Sequence, residues 1–289
     1  MGREYHGLLV LDKPSGITSR DAVNRIQKRL PRRTRIGHTG TLDPLATGVL
    51  VLCVGQATRL AEYVQEMDKI YRTTIVLGAR SDTDDADGTI VAVPDATPIR
   101  EETLRSAIST FVGDIAQRPP AFSAIKIDGQ RAHQLARRGD AVDIAARTVS
   151  VYRIDCLRYD WPELDLEIHC GKGTYIRSLA RDLGDKLGCG AYVKTLRRTR
   201  VGVFRTEDAI SPDAATDEVF SRILPSATAV GHLPAVELND SQIARLRQGQ
   251  TIPDMASADA ALCTVRDAHG GLIGIGRMKA GNLQSVKNL

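Results

Sequence analysis

The chain is predicted to fold as an α+β protein, with a large strand-rich unit followed by a small β-rich unit at the C-terminal end. Three observations predict this. Strand-like runs often follow one another closely enough for hairpins, and helical stretches are interspersed irregularly instead of forming repeated βαβ crossovers. After a stretch rich in Ala, Asp, Ser and Pro at 206–239, strand-like runs resume on either side of Gly270-Gly271.

Residues 7–12 form a short apolar run that reads as a strand. Pro14-Ser15-Gly16 supplies turn chemistry, and Thr18 or Ser19 caps a helix to Leu30, where Pro31 ends it. A Gly- and Pro-bearing loop at 31–48 leads into Val49-Leu50-Val51-Leu52-Cys53-Val54, which is too uniformly apolar for a surface strand and so belongs in the middle of a sheet. Further strands are expected at 70–77, 123–127, 149–157 and 164–170, and a helix at 101–111. Gly171-Lys172-Gly173-Thr174 opens a helix toward Leu187, and the run around Val193 and Leu196 alternates partly, as an edge strand does. The boundary stretch carries a short helix near 219–224. A helix at 241–247 and strands at 261–265 and 272–278 complete the chain.

Composition narrows the class. The 289 residues are 42% hydrophobic and 26% charged, ordinary globular values with length for one large domain and a small one. A net charge of +4 permits an acidic partner without requiring one. The 5 cysteines are too widely spaced for a C-x-x-C pair and read as reduced structural thiols. The opening Met1-Gly2-Arg3-Glu4-Tyr5-His6 lacks the apolar core of a secretion signal, and no run of apolar residues is long enough to span a membrane. A cytoplasmic, soluble protein is expected.

Local charge is more informative than the total. Arg25, Lys28, Arg29, Arg32, Arg33 and Arg35 follow one another with no acid between them, and Lys194, Arg197, Arg198 and Arg200 form a second such stretch. Arg137-Arg138 adds a third. Each has a plain reading as a solvated helix face or a protected sheet edge. Together they favour a groove for a phosphate backbone, and the few aromatics point to recognition of shape and backbone.

Asp43 lies among Leu42, Pro44 and Leu45, an apolar setting in which an ionised carboxylate needs a cation or hydrogen-bond donors. An Asx-turn aspartate is the alternative. Arg177, at the start of the helix after Gly173, is a candidate cation whose planar fork can hold a carboxylate by two hydrogen bonds, with Arg181 one turn further on the same face. A surface salt bridge along the helix is the alternative. Asp82-Thr83-Asp84-Asp85-Ala86-Asp87-Gly88 places its acids wrongly for a calcium loop and reads as a turn. The G-x-x-G of Gly37-His38-Thr39-Gly40 lacks the flanking pattern of a KH module, and no phosphate-binding loop or dinucleotide fingerprint is present.

With those residues in view, the chain resembles the bacterial tRNA pseudouridine-55 synthases of the TruB family. The resemblance begins at Leu11-Asp12-Lys13-Pro14-Ser15-Gly16-Ile17-Thr18-Ser19 and is most specific at Gly37-His38-Thr39-Gly40-Thr41-Leu42-Asp43-Pro44-Leu45-Ala46-Thr47-Gly48. It continues through Lys69-Ile70-Tyr71, 82–88, 120–126, 171–177 and 187–198, and covers most of residues 8–205. It implies a pseudouridine-synthase core built on a mixed, mainly antiparallel sheet at 1–233, followed by a PUA-like RNA-binding domain at 234–289.

The implied reaction isomerises one uridine in the T-arm loop of tRNA, breaking N1–C1′ and joining C5 to C1′, after the base has been flipped from its stack. Neither metal nor organic cofactor is implied, and a monomer without an obligatory protein partner is expected. By motif position Asp43 is the catalytic carboxylate, Arg177 its partner, and Tyr71 packs against the base and assists proton removal. Tyr175 and Leu196 match pocket positions, His38 matches a residue that occupies space in the remodelled tRNA loop, and Lys13, Arg197 and Arg198 are expected on the substrate. His133 stands where family members often have tyrosine, leaving any tRNA contact there unassigned. The competing class is an RNA-binding or tRNA-folding chaperone without turnover, for which the basic patches suffice.

Overall fold

The structure is a computed structural model that describes residues 5–123, 125–127, 130–132, 135, 138, 144–256 and 258–289. His133 and Arg137 lie outside these. The large sheet takes strands from most of the first two thirds of the chain: β1 (Gly7–Lys13), β2 (Ile36–His38), β3 (Thr47–Val54), β4 (Lys69–Leu77), β7 (Gly113–Gln117), β10 (Arg147–Asp160), β11 (Glu163–Cys170), β12 (Ala191–Val201) and β13 (Phe204–Arg205). The short pairs β5 (Ala79–Ser81) with β6 (Ile90–Ala92) and β8 (Lys126–Ile127) with β9 (Gln130–Arg131) stand apart. The main order is β1-β3-β12-β4-β11-β10-β7, with β2 beside β3 and β13 beside β12.

Every pairing in this sheet is antiparallel except β12 with β3, where Arg197 meets Thr47 and Arg198 meets Gly48. This corrects the edge reading of residues 193–198: β12 lies between β3 and β4, in the middle of the sheet. Its alternation reflects two faces that bury different groups, and only the pairing, which is set by distant strands, tells a central strand from an edge. The expected strand at 123–127 contracts to Lys126–Ile127, and that at 149–157 extends to Arg147–Asp160.

Helix α1 (Ser19–Gln27) begins at Thr18, whose hydroxyl accepts from Asp21 N at 3.1 Å while the Asp21 carboxylate accepts from Thr18 N at 3.0 Å. That reciprocal cap settles the choice between Thr18 and Ser19. The α-helix stops at Gln27 and turns carry the chain on to Pro31, so the proline follows the helix at a distance instead of cutting it. Helices α2 (Ala61–Glu66), α3 (Glu101–Ser109) and α4 (Ile176–Lys186) follow; α3 and α4 pack Leu104, Ile108, Leu179 and Leu183 into the main core, while α2 adds Val64 to a second cluster.

The boundary stretch carries α5 (Thr216–Ser221), a few residues earlier than the expected 219–224. Leu224 instead exchanges backbone hydrogen bonds with Leu8, at 2.8 and 2.9 Å. The terminal sheet runs β14 (Ala235–Leu238), β15 (Ala260–Asp267), β16 (Leu272–Lys279) and β17 (Asn282–Asn288), with α6 (Asp240–Arg247) between β14 and β15, β14 parallel to β15 and the rest antiparallel. This sheet has its own core around Val236, Ile243, Cys263 and Leu283, while Ile275 joins the cluster of Leu8, Val51 and Leu60 in the large unit. No helix among the described residues is long and apolar enough to cross a membrane.

Candidate active site

The loop between β2 and β3 carries Asp43 and is held from below by side chains of three other segments. Ser19 Oγ donates to Leu42 O at 2.9 Å and accepts from Leu42 N at 2.8 Å. Lys13 is fully buried and its ammonium donates to Pro14 O and Ile17 O at 2.8 Å and to Pro44 O at 3.3 Å. Arg198, from β12, donates to Gly40 O at 3.0 Å and to Val49 O at 2.8 Å. Backbone groups that a partly buried loop would otherwise leave unsatisfied are thereby paired, which makes this loop a rigid mount. Lys13 thus ties the loop from within the protein, and Arg198 holds it from the cavity side of β12.

Gly48 is part of the same mount. Its φ is +98°, and a Cβ there would lie 2.2 Å from Arg198 O, so the β3–β12 crossing needs a residue without a side chain. The turn after Asp43 is closed by its backbone, with Ala46 N donating to Asp43 O at 3.1 Å. Arg177 takes the carboxylate: its Nη2 lies 2.8 Å from Asp43 Oδ2.

Arg177 stands in the first turn of α4 and is only 5% exposed. Its fork does not close on one carboxylate. Nη1 faces Asp85 at 3.2 Å, and the two terminal nitrogens also donate to Thr83 O and Phe122 O, both at 3.0 Å. Asp85 is itself buried and its Oδ1 accepts from Thr83 Oγ1 at 2.6 Å and Asp87 N at 3.1 Å. The acid-rich turn at 82–88 therefore serves the site as a counter-charge to Arg177. One turn along α4, Arg181 repeats the arrangement with Asp84 at 3.0 Å and Arg118 O at 2.8 Å.

These neighbours set the protonation of the site. Exclusion of water raises the Asp43 carboxyl above the ordinary aspartate range; Arg177 opposes the rise and Asp85 adds to it. Burial likewise lowers Lys13 to about 8, with Asp43 resisting. Tyr71 is buried opposite Arg198 in the β4–β12 ladder, and its phenol is pushed up by burial against the pull of Arg198. A neutral Tyr71 follows at physiological pH.

Asp43, Tyr71, Tyr175, Leu196 and Arg177 line one cavity of about 510 Å³, which Lys69, Arg147, Gly171 and Lys172 also border. Arg147 lies over the Tyr175 ring at 5.2 Å from its centroid. The volume suits a nucleoside-sized ligand. His38 lies in a separate depression with Thr18, Arg20 and Phe122, and Asp43 and Arg177 border both hollows. Arg197 is absent from the cavity wall because β12 alternates: Leu196 and Arg198 face it, whereas Arg197 grips both Asp12 oxygens, at 2.8 and 3.0 Å, on the other face.

Residue reading alone did not single out Asp85, Ser19, Lys69 or Arg147. Ser19 was one of two candidate caps, and Asp85 one of several acids in a turn. Nothing local marks either one, since their partners come from other parts of the chain.

Three family models match in sequence along the chain: TruB family pseudouridylate synthase, N-terminal domain, at residues 28–176; tRNA pseudouridylate synthase B C-terminal domain, at 177–222; and pseudouridine synthase II TruB, C-terminal, at 234–287. The first alone spans half of the protein. The chain belongs to the TruB family of pseudouridine synthases. It is 45% identical to the tRNA pseudouridine synthase B of Syntrophobacter fumaroxidans over 87% of this chain and 84% of that protein. It is 41% identical to that of Xanthomonas campestris over 99% and 94%.

Among solved structures, a Cbf5-Nop10-Gar1 complex matches with a TM-score of 0.74 at 27% identity, covering 98% of this chain and 84% of the matched one. A substrate-bound H/ACA ribonucleoprotein matches with a TM-score of 0.73 at 26% identity, again over 98% and 84%. The TruB fold, a mixed and mainly antiparallel core with a PUA-like terminal domain, is the one described above. With the family comes the class of activity, isomerisation of uridine in tRNA.

Proposed function

We propose that this TruB-family chain converts the uridine at position 55, in the T-arm loop of tRNA, to pseudouridine, with Asp43 as the catalytic carboxylate. The observation that carries the reading is the Asp43 carboxylate, held by Arg177 at 2.8 Å on the wall of a cavity that Tyr71, Tyr175 and Leu196 also line. A uridine in a folded loop hides C1′ and C5, so it must leave its stack to reach a carboxylate in such a cavity. Leu196 and the Tyr71 ring supply apolar surface for the flipped base.

The bond between N1 and C1′ breaks, the uracil turns, C5 joins C1′, and the C5 proton is lost while N1 gains one. Asp43 begins this either by attacking C1′ or by taking a ribose proton to give a glycal; both need the ionised carboxylate that Arg177 favours. Tyr71, held neutral by burial, acts as packing surface and proton relay instead of a standing base. Lys13, Ser19 and Arg198 act by holding the loop. His38, in the neighbouring hollow, takes up space in the displaced RNA loop, and the domain from residue 234 adds RNA contacts.

The test is Asp43→Asn, assayed on unmodified tRNA with no added metal and with modified uridines mapped. The variant is expected to bind tRNA and form no pseudouridine, since size is kept and ionisation is lost. Conversion at the wild-type rate, or conversion by the wild type of a uridine outside the T-arm loop alone, would falsify the assignment.

A further inference from the structure

Tyr152 on β10 leaves 55% of its surface exposed. It also stands at a bulge. The β10–β11 ladder pairs Val151 with Cys170 and Arg153 with His169, leaving Tyr152 as the extra residue. A bulge takes one residue out of the ladder and re-aims its side chain, and bulges recur beside active sites.

The ring is nonetheless firmly supported. His169 meets it edge-on, with centroids 5.0 Å apart and planes at 63°. His169 Nε2 contacts the Asp68 carboxylate, which Arg200 Nη2 holds at 2.5 Å. Residues from β11, β12 and the turn before β4 thus brace one exposed phenol, and such bracing lowers the ordering cost of a contact made there.

The ring also adjoins the active cavity. A Cβ on Gly171 would lie 3.1 Å from Tyr152 Oη, and Gly171 lines the cavity together with Lys172 and with Thr148 and Val149 of Tyr152's own strand. RNA leaving the cavity over Gly171 meets this ring. When one nucleotide is flipped, its neighbour loses a stacking partner, and exposed aromatics replace such partners in single-stranded RNA recognition.

We propose that Tyr152 is a stacking platform for an unpaired nucleobase next to the reacting nucleotide. The proposal rests on the tRNA reading above and adds a subsite to it. Its test measures KM and kcat on a T-arm stem-loop for the wild type and for Tyr152→Ala, Tyr152→Phe and Tyr152→Leu.

Tyr152→Ala is expected to raise KM roughly tenfold, the scale of losing one base–aromatic stack, with little change in kcat. Tyr152→Phe keeps the wild-type KM, and Tyr152→Leu, which fills space without a π face, behaves like the alanine variant. Because Phe and Leu leave the surrounding packing largely occupied, that pair carries the test even if the alanine variant unfolds. Stem-loops with single abasic sites locate the partner: at one loop position the wild type and Tyr152→Leu become equal. If Phe and Leu variants share the wild-type KM while the wild type isomerises uridine, the platform is overturned and the tRNA reading stands. A wild type that neither binds nor converts the stem-loop removes both.

Discussion

Arg177 meets Asp43 with one nitrogen and Asp85 with the other, at 2.8 and 3.2 Å, so one buried cation is shared between two carboxylates. Two acids around one arginine leave the trio with a net negative charge. This sharing, together with burial, keeps the Asp43 carboxyl raised despite its ion pair.

Removing Asp85 therefore has two separable effects. In Asp85→Asn, a like charge near Asp43 disappears, and the acid limb of kcat against pH moves to lower pH. At the same time Arg177 loses one of its anchors, and kcat falls roughly 10- to 100-fold, the scale of a small misplacement in an active site. A pH–rate profile with an unmoved limb would show that Asp85 does not act on Asp43.

Removing Arg177 acts on stability as well as rate. Arg177→Met leaves Asp85, which is buried, without its cation, and a broken buried pair costs about 3–5 kcal/mol. Urea unfolding measures that loss, and unchanged stability counts against the pairing. The activity of any folded Arg177→Met has its acid limb at higher pH than the wild type, because the group that favours the ionised Asp43 is gone.

The second arginine–aspartate pair gives a pH signature in stability. Burial raises Asp84 from 3.8 to about 6, with Arg181 opposing. Between those values the folded protein retains a proton that the unfolded chain has released, so this group's contribution is present below the lower value and is lost as pH rises through the upper one. Asp84→Asn should flatten that decline in unfolding free energy between about pH 4 and 6.5. An identical slope in wild type and variant excludes Asp84 as its source.

Ser19 tests the mount. Ser19→Ala leaves both the N–H and the C=O of Leu42 without their hydroxyl partner in a buried setting, at a cost of about 1–3 kcal/mol. Loss of kcat with KM retained is expected, since the loop holds Asp43 and makes no claim on the remote RNA. A thermal melt and a rate measurement on the same preparation check both.

The site was legible in the chain to different depths. Asp43 and its apolar neighbours, the glycines around it, the buried strand after it and a cation at the head of a later helix could all be read locally. The resemblance places Lys13, Arg197 and Arg198, all within its motifs, on the substrate. In the fold, Lys13 and Arg198 tie down loop carbonyls and Arg197 grips Asp12, since burial and strand face are set by the sheet around them. The edge reading of residues 193–198 failed for the same reason: partial alternation describes a strand's faces, and β3 and β4, which enclose β12, come from far earlier in the chain.

What the sequence determined by itself was local: where the chain turns and helices begin, which strand is wholly apolar, and a carboxylate, Asp43, set among apolar neighbours in a loop. Only the tertiary structure decided that Arg177 divides itself between Asp43 and Asp85, that Lys13 and Arg198 support the loop, and that Tyr152 projects beside the cavity. The reason is physical. Propensity and turn chemistry act between near neighbours, whereas charge pairing and exclusion of water depend on distances that exist only once remote segments have packed together.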